Sequence, residues 1–128
     1  MAYRRILVVE DEATLRSIIV RNLTARGCEV REAATVAAAL AELATELPEL
    51  MLLDINLPDR SGWDVLRHLK AEGREVPTAI ISAVRVSQDR LDEFKPLCFL
   101  PKPFPLEALL RLVTEEEVTA DSEGGSVD

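Results

Sequence analysis

The sequence predicts an α/β fold in which five strands alternate with five helices. The strands form one parallel sheet of order 2-1-3-4-5, doubly wound and covered by helices on both faces, so that the domain is a three-layer sandwich. Three observations predict it. The run Leu50 to Leu53 is wholly apolar and ends abruptly on Asp54, as strands buried on both faces do. Further β-branched or apolar runs recur along the chain, each separated from the next by a stretch with helical periodicity. The loops between them are short, which favours right-handed βαβ crossovers.

Taken in order, Arg5 to Val9 is the first strand and runs into Glu10-Asp11-Glu12. Ala13 to Ala25 carries Leu15, Ile18, Ile19 and Leu23 at helical spacing, and Gly27 supplies a stop. Cys28 to Arg31 reads as a weak second strand. Thr35 can cap a second helix with the stripe Val36, Leu40, Leu43, Ala44 and Leu47, bounded by Pro48. After the third strand and Asp54, Ser61 and Asp64 have capping-box spacing ahead of a helix carrying Trp63, Leu66 and Leu69 that stops at Gly73. Pro77 to Ile81 is the fourth strand, ending on Ser82-Ala83. Val86 to Phe94 is a poorly patterned helix that Pro96 should cut short. Leu97 to Leu100 is the fifth strand, leading into Pro101-Lys102-Pro103. Pro105 suits the first turn of a last helix that turns Leu106, Leu109, Leu110 and Val113 to one side. Residues 1–117 are expected to form the single domain and 118–128 a disordered acidic tail.

Composition narrows the function. Hydrophobic residues are 48% of the 128, which suits one core. The formal charge of −8, part of it in the C-terminal tail, argues against nucleic-acid binding through a broad basic surface. No apolar run is long enough for a membrane span, and the N-terminus has no signal-peptide pattern, so a cytoplasmic location is expected. Cys28 and Cys98 belong to no C-x-x-C pair and read as small buried hydrophobes. His68 falls on a helix remote from the polar strand ends and reads as a surface residue, while Trp63 is open between core and partner contact.

In the expected strand order, Glu10, Asp11, Asp54, Ser82 and Lys102 all stand at carboxyl ends that crowd one edge of the sheet. Three carboxylates that close together repel unless something neutralises them, and a divalent cation with all-oxygen ligands such as Mg²⁺ is the simple remedy, with the backbone carbonyl of Asn56 as a further oxygen. Asp54 could then attack phosphorus as a carboxylate nucleophile, with Lys102 and Ser82 meeting the phosphoryl oxygens. Each residue also has a plainer reading. The two acids could only favour a helix N-terminus, Asp54 and Ser82 could be turn residues, and Lys102 a solvated lysine.

At these residues the sequence resembles the receiver domain of two-component response regulators, over roughly Arg5 to Thr114. The resemblance is carried by Ile6-Leu7-Val8-Val9-Glu10-Asp11-Glu12, Leu53-Asp54-Ile55-Asn56-Leu57-Pro58 with Gly62 following, Ile81-Ser82-Ala83, and Pro101-Lys102-Pro103-Phe104. It implies a flavodoxin-like (βα)5 fold; with no effector domain, the sequence reads as a single-domain regulator of the chemotaxis type, a phosphorelay intermediate, or a fragment of a longer regulator. Asp54 would accept a phosphoryl group from a sensor histidine kinase or histidine phosphotransfer protein. Mg²⁺, or Mn²⁺ in its place, would sit on Glu10, Asp11, Asp54 and the Asn56 carbonyl. Ser82 and Lys102 would contact the phosphoryl group, and Phe99 would be the aromatic switch on the face made by the fourth helix, fifth strand and fifth helix, read by a downstream protein target. Such a protein is a phosphoacceptor rather than an enzyme in the usual sense. Two departures stand out: the segment between Ser82 and Lys102 is about two residues short, with Glu93-Phe94-Lys95-Pro96-Leu97-Cys98 before the fifth strand, and Val84 offers no side chain to orient water, which predicts a long-lived phosphoryl group. The competing readings are a pseudo-receiver that binds partners without phosphorylation and an aspartate-nucleophile phosphatase of the haloacid-dehalogenase type. The latter would want a second acid where Asn56 stands.

Overall fold

The computed structural model describes residues 3–114. The elements alternate strictly: β1 (Arg5–Val9), α1 (Ala13–Ala25), β2 (Glu29–Ala33), α2 (Val36–Thr45), β3 (Leu50–Asp54), α3 (Trp63–Ala71), β4 (Thr78–Ser82), α4 (Gln88–Phe94), β5 (Cys98–Pro101) and α5 (Leu106–Thr114). The five strands form one parallel sheet in the order β2-β1-β3-β4-β5, as the sequence predicts. The acidic tail expected over 118–128 lies outside the described residues.

The strands are apolar on both faces because both faces are covered. All five residues of β3 are buried, as are all five of β4. One face of the sheet packs Leu7, Val9, Met51, Leu53 and Ile80 under α2 and α3, and the other packs Ile6, Val8, Leu50, Leu52 and Ala79 under α1 and α5. Each such aliphatic side chain removed from water contributes about 1.5–3 kcal/mol, which fixes the register of the central strands.

Several local expectations are corrected. β2 runs over Glu29–Ala33 rather than from Cys28 to Arg31, because it pairs with the whole length of β1, Arg5 opposite Glu29 through Val9 opposite Ala33. Ile18 is 38% exposed and Ala44 is exposed, so neither belongs to a buried stripe, while Ala39 is fully buried. Ala39 packs with Val36 and Leu43 in the cluster between α2 and the sheet. α4 begins at Gln88 because Ser87 caps it, its hydroxyl accepting from the Arg90 N–H at 3.3 Å. It stops at Lys95, which takes the left-handed conformation (φ 48°) ahead of Pro96. Thr35 caps α2 as expected. Ser61 does not cap α3 reciprocally: the cap position is Gly62, the Ser61 hydroxyl accepts from Trp63 N–H, and Asp64 turns to Arg67 instead. Trp63 belongs to the core, and His68 is exposed. Cys28 is buried, whereas Cys98 is only half-buried, and both are free thiols.

Candidate functional site

The carboxyl edge of the sheet gathers the polar residues that end the strands. Asp54 is the last residue of β3 and is 1% exposed; Glu10, just past β1, is fully buried. A buried carboxylate must be hydrogen-bonded or paired. Asp54 uses both oxygens, Oδ1 accepting from the Asn56 N–H at 3.0 Å and Oδ2 from Lys102 Nζ at 3.0 Å. Glu10 Oε2 accepts from the Glu12 N–H at 3.0 Å. Its Oε1 lies 2.8 Å from Lys102 Nζ as an ion pair but accepts no hydrogen bond of ordinary geometry. Asp11 stands exposed at the mouth, and one oxygen from each of Glu10, Asp11 and Asp54 fits within a 4.8 Å group.

Lys102 holds the cluster together electrostatically. It follows β5, whose Pro101 pairs with Ser82 of β4, and its own N–H donates to the Ser82 carbonyl at 2.8 Å. Burial works against the ammonium, but the adjacent Glu10 and Asp54 carboxylates outweigh it and hold the Lys102 pKa above the ordinary lysine value. Burial likewise pushes Glu10 up, and the Lys102 ammonium and Glu12 N–H offset this only in part.

Ser82 is buried at the end of β4, but its hydroxyl is closed on its own loop. Oγ donates to the Val84 carbonyl and accepts from the Val84 N–H, both at 3.0 Å. Phe99 is half-buried in β5 and packs against the core under α2 and α3. Asn56 lies in the loop after Asp54, where it bridges to Ser61.

That loop is pinned at two places. Gly62 presses on the site from behind: its N–H donates to the Ile55 carbonyl at 2.7 Å, and a Cβ there would stand 2.3 Å from the Asp54 carbonyl oxygen. Only glycine fits so close a backbone approach. Asp59 reaches across to the N-terminus of α2, where its two oxygens accept from the Val36 and Ala37 N–H groups at 2.9 and 3.0 Å, bonds that lower its pKa. Arg16 donates to the Glu10 carbonyl at 2.7 Å while pairing with Glu32. Sequence reasoning missed Arg16 and Asp59, whose partners are 6 and 22 to 23 residues away and leave no periodic signal. An acid in a loop after a buried strand is the only hint of the second.

The donor set is all oxygen, three carboxylates with the Asn56 carbonyl within the same loop, and one buried oxygen accepts no hydrogen bond of ordinary geometry. Such a set fits a hard divalent cation that keeps part of its water shell.

A family comparison decides what this arrangement belongs to: residues 6–114 match the model of the response regulator receiver domain. The chain is a member of that family. The receiver domain is similar to the phosphate regulon transcriptional regulatory protein PhoB of Escherichia coli, 36% identical over 114 residues, covering 85% of this chain and 50% of PhoB. It spans about half the length of the curated relatives it matches. Among solved structures it resembles the non-phosphorylated HemR receiver domain of Leptospira biflexa, with TM-score 0.78 and 28% identity over 91% of this chain and 99% of that one. It also resembles the response regulator TrrA of Thermotoga maritima in complex with Mg²⁺ and BeF, with TM-score 0.73 and 25% identity over 84% and 94% of the two chains. The receiver domain therefore belongs to two-component signalling, and its family is one of phosphoacceptors. Among the described residues no helix is long and apolar enough to cross a membrane.

Proposed function

We propose that Asp54 accepts a phosphoryl group from a sensor histidine kinase or a histidine phosphotransfer protein, with Mg²⁺ (or Mn²⁺) held by Glu10, Asp11, Asp54 and the Asn56 carbonyl. The observation that carries this reading is the Asp54 carboxylate itself. It is buried, held by Lys102 and the Asn56 N–H, and shares a 4.8 Å group of acid oxygens with Glu10 and Asp11. A cation bound there supplies positive charge against the phosphoryl oxygens.

The chain's own residues do the rest. An Asp54 oxygen attacks phosphorus, the bond from phosphorus to the donor imidazole nitrogen breaks, and its electron pair leaves with that nitrogen. Lys102, already on Asp54 Oδ2, stands ready to pair with the oxygens that arrive. Ser82 must give up the Val84 carbonyl to donate to the phosphoryl group, so its hydroxyl has two alternative partners. Movement of Ser82 opens space toward which Phe99 turns, altering the face of α4, β5 and α5 that a downstream protein target reads. Residues 1–117 act as the receiver unit in the cytoplasm, with 118–128 as an acidic tail, and neither nucleic acid nor membrane is contacted through this domain.

The test is intact mass after incubation with a small phosphoryl donor, with and without Mg²⁺. The expected result is one added phosphoryl group in the wild type with Mg²⁺ and none in Asp54→Asn. A wild type that never gains mass sinks the reading and leaves a module that binds partners without phosphorylation.

A further inference from the structure

α4 is lightly held, with none of its residues fully buried. Its tie to α3 is a ring stack. Phe94, at the end of α4, lies on Trp63 at the start of α3 with centroids 5.4 Å apart and planes 13° from parallel. Arg67 and Lys70, one and two turns further along α3, place their cationic groups 5.9 and 5.7 Å from the Phe94 centroid. A stacked ring with cations over it resists sliding better than an aliphatic contact, because these contacts have a preferred geometry. Beyond Phe94 the helix is closed by Lys95, whose N–H returns to the Leu91 carbonyl at 2.8 Å, and by Pro96. Displacement of Phe94 therefore carries the end of α4 with it.

The other end of this contact reaches Asp54. Trp63 directly follows Gly62, and Gly62 has no free space against the Asp54 and Ile55 backbone: a Cβ there would lie 2.3 Å from the Asp54 carbonyl oxygen and 2.9 Å from the Ile55 Cα. Any shift of the 54–55 backbone is passed to Gly62 as a hard contact, and Trp63 is 93% buried, with little room to absorb it.

We propose that Trp63 is a positioning residue that carries the state of Asp54 to α4 through Gly62 and the Phe94 ring. This rests on the phosphoryl-acceptor reading above. The route runs along α3 and involves neither Ser82 nor Phe99. It uses Phe94, which belongs to the segment where this chain departs from the pattern its family resemblance implies.

Amide hydrogen exchange over residues 86–97 tests it, with and without phosphoryl donor and Mg²⁺, on wild type, Trp63→Phe, Trp63→Leu and Phe94→Leu, with intact mass read on every sample. Phosphorylation is expected to change α4 exchange severalfold in the wild type and in Trp63→Phe, which keeps a ring to stack. Trp63→Leu and Phe94→Leu are expected to gain the phosphoryl group and lose that difference. Phe94 is only half-buried, so its variant tests the link even where the core substitution at Trp63 fails to fold. A phosphorylated wild type with unchanged α4 exchange, or a phosphorylated Phe94→Leu that keeps the full difference, overturns the link alone. A wild type that gains no mass overturns the acceptor reading and the link with it.

Discussion

Glu10 shows how this site trades stability for chemistry. Lys102 is the one cation the described structure places on both buried carboxylates, and Glu10 is fully buried with one oxygen that accepts no hydrogen bond of ordinary geometry. Its folded pKa is raised, chiefly by burial. A raised value means that the folded chain binds the Glu10 proton more tightly than the unfolded chain does. The favourable contribution is present below the ordinary glutamate value of 4.5 and is lost as pH rises through the folded value. Loss of that proton opposes folding. Glu10→Gln is therefore expected to raise the unfolding free energy at pH 7 by on the order of 1 kcal/mol, in the absence of divalent cations. The advantage should vanish below the ordinary glutamate range, which urea midpoints at the two pH values would show. Val84 makes a kinetic statement at the same scale. Its side chain is apolar and 53% exposed, two residues beyond Ser82. With nothing there to orient water, phospho-Asp54 is expected to outlast a minute and Val84→Gln to shorten its life severalfold; a wild-type half-life of seconds, followed by mass, contradicts this. The strand-end residues were legible in the sequence because a buried run that stops on a charge is conspicuous. The engagement of Ser82 with Val84 was not legible, since it depends on how the following loop turns.

The elements themselves were legible where periodicity is strong and blurred where tertiary pairing decides. α1 runs over the expected residues, while β2 shifts to follow β1, and the Ser61–Asp64 pair forms no reciprocal cap because Asp64 finds Arg67. α4 is the weakest pattern in the sequence and the least buried helix in the structure, and the two facts share a cause: few apolar residues. Its C-terminus adds a strained position, Lys95 at φ 48°. Glycine adopts that conformation without a Cβ penalty, so Lys95→Gly is expected to stabilise the domain by up to about 1 kcal/mol in urea unfolding. A loss of stability instead would mean that the Lys95 side chain itself contributes to the fold.

At the scale of the molecule, strand order was predictable from alternation and loop length, and it is strand order that brings residues 10, 54, 82 and 102 to one edge. What no local pattern predicted is how that edge is braced from behind, by Gly62 on the Asp54 backbone and Asp59 on α2. The opposite edge has a consequence of its own. There the Tyr3 N–H donates to the Val113 carbonyl at 3.2 Å, so the start of β1 and the end of α5 lie side by side. Because every strand runs the same way, both places are a full strand length from Asp54. A large donor can therefore approach Asp54 without meeting the start of β1 or the end of α5.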